Sequence, residues 1–309
     1  MHPRCAIVLA LAGTTAAAAS AQPTSGSLLF EHFATVPHMG QFDVHPTTGE
    51  IAVGTTGPGS AAKQQVRVVS TDGTVRVVGA AVSDPDAVVW DVNGTFGSPG
   101  SILSGGVGGV FSIDPAGPTS LVFSSGVDFG NPEDLDFSDT GELLLADFSS
   151  ARVQSVDALG RFSTVAVSAS PINQVAVSPA TGEIIFGDQA GNVSDTGVTG
   201  RLLSNGTGPH LTGLAFGDGS ARWGDDVYAV DAATGDLLRF DGEVSSIIAT
   251  GLFDGVQPGG LNGAGIGFLP GGDMIIGVPA TDTMWRVIPT PGTGALLALG
   301  GLTALRRRR

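Results

Sequence analysis

Apolar residues come in short bursts of four to six along most of this chain, separated by Gly, Asp, Pro, Thr and Ser. Within many bursts they alternate with polar residues, the period of a strand with one buried face. In QVRVVSTDGTVRVVG (Gln65 to Gly79), Val66, Val68, Val75 and Val77 alternate with Arg67 and Arg76. That spacing predicts two strands with their arginines in water. No stretch between Ser27 and Ile288 carries a convincing helical period. The bursts also recur as larger units. A strand, a Gly-containing corner and a second strand begin at Phe42 (FDVHPTTGEIAVG), Val88, Leu135 (LDFSDTGELLLAD), Val175 (VAVSPATGEIIFGD), Leu214 and Ile266. The steps between starts are about 46, 47, 40, 39 and 52 residues, the length of a four-stranded propeller blade. The Thr-Gly-Glu corners supply the positive φ that a tight hairpin needs.

Six units imply an all-β, six-bladed β-propeller. The sixth has only three strands of its own, GIGFLP, DMIIGV and TMWRVIP. The segment LLFEHFAT (Leu28 to Thr35) has no local partner and is expected to supply the missing outer strand. The last blade would then be closed by the N-terminal strand, which removes an exposed sheet edge. Trp90, Trp223 and Trp285 are expected to pack between blades.

The two ends differ from this body. Residues 1–21 combine Arg4, the apolar run Ala6 to Ala12 and a small-x-small site at Ala19-Ser20-Ala21, the layout of a cleavable signal peptide. The chain closes with IPTPGTGALLALGGLTALRRRR. There Pro289 and Pro291 end the strand pattern, an uncharged run follows, and Arg306, Arg307, Arg308 and Arg309 finish the chain. Such a positive block stays on the cytoplasmic side and halts export. The expected organisation is signal peptide 1–21, propeller 22–288 and sorting anchor 289–309. This tail resembles the PEP-CTERM sorting signal of bacterial proteins, with Thr290 where the name-giving motif has Glu. The resemblance implies processing by signal peptidase and an exosortase-like transpeptidase. It also implies location at the cell envelope, outer surface or exterior, with transient anchoring in the inner membrane.

Composition narrows the function. The 309 residues include 48 Gly without a triplet period, which excludes collagen. The net charge is −15; without Arg4 and the four terminal arginines, 9 basic face 29 acidic residues, about −20. Such a surface repels nucleic acid and anionic lipid. The sole cysteine, Cys5, lies in the signal region, so disulfides and Cys-ligated metals are excluded from the body. GGVGG (Gly105 to Gly109) lacks the following Lys and helix of a phosphate loop, and no GxSxG, HExxH or CxxC occurs.

Propeller ligands bind around the central channel where the innermost strands begin. Two positions ahead of the six starts lie Gly40, Asp86, Glu133, Asn173, Thr212 and Ala264. Four positions ahead lie His38, Asp84, Asn131, Pro171, His210 and Asn262. Asp86, Glu133 and Asn173, from three consecutive blades, are hard oxygen ligands suited to Ca²⁺ or Mg²⁺. His38, Asn131, His210 and Asn262 are further candidates for the channel mouth.

The segment NPEDLDFSDTGELLLADFSSARVQSVDALGR (Asn131 to Arg161) and its repeats resemble the NHL and gluconolactonase-like group of six-bladed propellers. That resemblance implies a Glu/Asn/Asp metal site at the mouth, with the metal polarising a lactone carbonyl. The expected function is a binding or scaffold module for an envelope or matrix polysaccharide or protein. The alternative is an extracytoplasmic, metal-dependent, lactonase-like hydrolase.

Overall fold

The computed structural model describes residues 28–55, 64–126, 128–196, 202–205, 211–220, 222–231, 234–241, 244–252 and 265–289. Strand β1 (Leu28–Thr35) comes first. Blade 1 follows as β2 (Met39–Val44), β3 (Ile51–Thr55), β4 (Val66–Val69) and β5 (Val75–Val78). Blade 2 is β6 (Ala87–Asp91), β7 (Ser101–Gly106), β8 (Gly109–Ile113) and β9 (Thr119–Ser124). Blade 3 is β10 (Pro132–Phe137), β11 (Leu143–Asp147), β12 (Arg152–Val156) and β13 (Phe162–Val167). Blade 4 is β14 (Ile172–Val177), β15 (Ile184–Asp188), β16 (Asn192–Asp195) and β17 (Leu202–Asn205). Blade 5 is β18 (Leu211–Phe216), β19 (Val227–Asp231), β20 (Asp236–Asp241) and β21 (Val244–Ala249). Blade 6 contributes β22 (Ile266–Phe268), β23 (Met274–Val278) and β24 (Thr283–Pro289).

Each blade is an antiparallel sheet in chain order, and the sixth runs β22-β23-β24-β1. The N-terminal strand thus closes the last blade, with Leu28 opposite Pro289 and Thr35 opposite Thr283. Pro289 is the final residue of its strand, a place where a missing N–H costs little. The innermost strands touch in cyclic order, and β22 meets β2 to complete the ring. The regular structure is all β apart from one 3₁₀ turn at Pro279–Thr281 among the described residues.

Among the described residues, six buried apolar clusters hold the molecule together, one at each blade interface. Between blades 1 and 2, for example, Val66, Val68 and Val78 meet Val88, Trp90, Ile102 and Ile113. Between blades 5 and 6, Tyr228 and Val230 meet Ile276, Trp285, Val287 and Phe30 of β1. All three tryptophans sit in such interfaces, and Trp223 Nε1 donates to Gly272 O at 2.8 Å. The corner glycines Gly49, Gly141 and Gly182 all have φ near +70° to +80°.

One reading of the strand pattern is corrected here. Strand β4 is buried on both faces, Arg67 included, and Val77 of β5 is 52% exposed. A middle strand lies between two neighbouring blades, so neither of its faces is wet. Arg67 escapes an unpaired burial by donating from Nη1 to Pro37 O.

Candidate site at the channel mouth

The chain reaches the mouth by crossing over the edge of the preceding blade. A Cβ at Gly54 would lie 2.1 Å from Pro85 O, and one at Gly106 would lie 2.1 Å from Asp84 O. Only glycine permits this approach, and it seats the Ser83–Asp86 segment beside the start of β6. Asp84 takes a left-handed conformation (φ 51°), and the Asp86 N–H donates back to Asp84 O at 2.8 Å. Asp86 O in turn accepts the Gln41 N–H at 3.1 Å, which ties the segment to β2.

In blades 3 and 4 the candidate side chains stand on β-bulges. Pairing of β10 with β11 skips Glu133, and pairing of β14 with β15 skips Asn173. A bulge re-aims one side chain while the ladder continues around it. The loop before β10 is fixed from below by buried Asp147. Its carboxylate accepts the N–H groups of Asn131 (3.0 Å) and Gly130 (3.2 Å) and the Ser150 hydroxyl (2.6 Å). Asn131 Nδ2 then donates to Glu133 Oε1 at 2.7 Å.

Asp86 and Glu133, 47 positions apart in sequence, interact electrostatically, and Asp84 acts on both. Burial, then repulsion from Glu133 and Asp84, pushes the Asp86 carboxyl up to about 9. Burial and Asp84 push Glu133 up to about 7, against the lowering effect of the Asn131 hydrogen bond. Near neutral pH the pair therefore holds protons more tightly than ordinary carboxylates do, unless a cation replaces them. Among the described residues, Asp86 Oδ1 and Asn131 Oδ1 are buried without a hydrogen-bond partner. Orphaned buried oxygens facing acidic neighbours are what a hard cation would satisfy. The described residues contain no ready-made cage of three His, Cys, Asp or Glu side chains, so amide oxygens must complete any ligand set.

The expected residues are thus brought together in part. Glu133 is hydrogen-bonded to Asn131 and lies within electrostatic range of Asp86, with Asp84 acting on both acids. Asn173 is buried in the equivalent bulge of the next blade. His38 lies on an exposed left-handed turn (φ 58°) whose N–H donates to Asp282 Oδ1 at 2.8 Å. His210 and Asn262, with the ends 1–21 and 290–309, lie outside the described residues. Sequence reasoning missed Asp147. An Asp closing a second strand in LLLAD and IIFGD was the available signal, since Asp188 likewise binds Ser168, Ala190 and Asn192.

No protein-family model matches the chain, and no curated protein matches it in sequence. Solved structures do match in fold. A streptogramin B lyase superposes with a TM-score of 0.60 at 9% identity, covering 85% of this chain and 98% of that one. A gluconolactonase from Xanthomonas campestris gives 0.62 at 14% identity, covering 85% and 89%. A carbohydrate-active enzyme of family AA12 from Trichoderma reesei gives 0.59 at 13%, covering 87% and 98%. Likeness at this identity establishes the six-bladed propeller and leaves chemistry to the site itself.

Proposed function

We propose that the chain is an exported propeller displayed at the cell envelope or released from it, acting as a binding module whose mouth takes its ligand through a hard divalent cation. The observation that carries this reading is buried Asp86, with an orphaned oxygen and in electrostatic range of Glu133, which Asn131 holds by a hydrogen bond. Asp86, Glu133 and Asn173 would hold the cation, with Asn131 orienting Glu133. These are hard oxygen donors of the kind Ca²⁺ selects. Export rests on the N-terminal signal pattern and the arginine-ended tail. The test is thermal unfolding of the full chain titrated with Ca²⁺, Mg²⁺ and Zn²⁺. A saturable rise in Tm with Ca²⁺, abolished in Glu133→Gln, is expected. A flat titration with all three ions discards the reading.

A lactonase-like hydrolase is the second reading. It is favoured by a carboxyl, Glu133, poised near neutrality at a channel mouth, and by a gluconolactonase among the fold neighbours. A bound cation would supply polarisation of a lactone carbonyl. Glu133 would hold or release a proton within reach of Asn131, and the bulges would orient the donors. Ca²⁺-dependent acid release from an aldonolactone in a pH-stat, lost in Glu133→Gln, separates hydrolysis from binding alone.

A further inference from the structure

Below the mouth, the inner strands enclose a cavity of about 780 Å³ that opens at their far ends, between the corner loops. Its volume falls in the range of small-molecule sites. The two sides of its wall differ. At the layer of Asp43, blades 1 and 3 present Asp43 and Asp136, while blades 2, 4, 5 and 6 present Val89, Ala176, Ala215 and Gly267. Asp134 lies one layer above, and Asp91, Asp139 and Asp218 stand toward the open rim. Phe42, Phe137, Phe216 and Phe268 line much of the rest. Among the described residues, no Lys, Arg or His lines this cavity.

The inner carboxylates are rigidly placed. Asp43 Oδ2 accepts the Trp90 N–H of the next blade at 2.8 Å. Asp136 does the same for Val177 at 2.8 Å, and Asp134 for Val175 at 3.0 Å. These amides hold the groups in position but bring no counter-charge. Burial raises each above the ordinary carboxylate range, and repulsion from Asp43 adds to the rise at Asp134 and Asp136. An anionic cavity with aromatic walls and no cationic side chain among its described residues is electrostatically incomplete.

We propose that this lower cavity binds a small organic cation of the alkylammonium class, its charge beside Asp43 and Asp136 and its apolar part against the phenylalanines. A bare metal ion fits less well. The two principal carboxylates stand on opposite sides of blade 2, their oxygens already engage amides, and the space far exceeds one ion.

Butylammonium chloride is the probe, with 1-butanol as its neutral counterpart and NaCl at equal ionic strength as control. The full chain is titrated at pH 8 by calorimetry, with Tm followed in parallel. A saturable signal for butylammonium alone is expected. Asp43→Asn/Asp136→Asn keeps an oxygen for each amide and removes the charge; it should weaken binding at least tenfold. Should that variant not fold, Ala215→Leu narrows the cavity from the opposite wall and should abolish the signal. Glu133→Gln, at the mouth, should leave it unchanged. An equal response to 1-butanol or NaCl, undiminished binding in the folded cavity variants, or loss of binding in Glu133→Gln overturns the proposal.

Discussion

At the residue scale, the unusual feature is how many carboxylates this acidic chain turns inward. Asp43 and Asp136 face the channel, with Asp134 and the rim acids around them and no cationic side chain among the described residues of the cavity walls. Burial is the largest cause of their raised pKa values, to about 6 for Asp43 and about 7 for Asp136, and repulsion between them adds to the rise at Asp136. The sign follows from linkage. In the unfolded chain these groups titrate near 3.8, so the folded state holds more protons between about pH 4 and 7. Their stabilising contribution is complete below that window and is lost as pH rises through 6 to 7. Tm is therefore expected to fall by about 5 °C or more from pH 5 to pH 8. Asp43→Asn/Asp136→Asn should flatten that slope. Equal slopes for wild type and variant in a differential scanning series would refute this assignment. None of this was legible in LDFSDTGE or FDVHPTTGE. Alternation marks those aspartates as polar and therefore outward, but on an innermost strand outward means the channel, not bulk water.

At the element scale, closure by β1 matters most. The chain shows a three-stranded sixth unit and an orphan strand at the other end, and the simplest way to cover both edges is to pair them. The register places Phe30, 2% exposed, in the interface of blades 5 and 6, and leaves Leu29, 44% exposed, outside. Phe30→Ala should cost roughly 3 kcal/mol or more, as large-to-small core changes do, and Leu29→Ala under about 0.5 kcal/mol. Urea denaturation measures both, and similar costs would mean that β1 does not seal the ring. Period-two patterning found the strands but failed on the faces of β4 and β5, where Arg67 is buried and Val77 is exposed. Arg67 was assigned to water because it alternates with valines, yet a second blade covers that face. The bulges at Glu133 and Asn173 were equally illegible, since bulge formation depends on the partner strand's register.

At the scale of the whole molecule, a ring of six interfaces leaves its single axial channel as the natural place for a ligand, and here both ends of that channel carry acids. The mouth and the lower cavity are separate sites on one axis, which is why the Glu133→Gln and Asp43→Asn/Asp136→Asn variants can be read independently. Display at the envelope, as proposed, would depend on the ends and not on the ring. Deleting Arg306 to Arg309 should send the protein into the medium unprocessed, and unchanged cell fractionation would reject the anchor.

What the sequence determined by itself is local: strand periods, corner glycines, six repeats and an unpaired strand ahead of the first, with the two ends giving an expectation of addressing. Each of these is a property of a few adjacent residues or of their recurrence. The tertiary structure alone decided which faces were covered, which bulges re-aimed a side chain, and which acids met. Asp86 finds Glu133 and Asp43 finds Trp90 across 47 positions of chain. Burial and Coulomb energy depend on distance through space, and that distance exists only once the ring has closed.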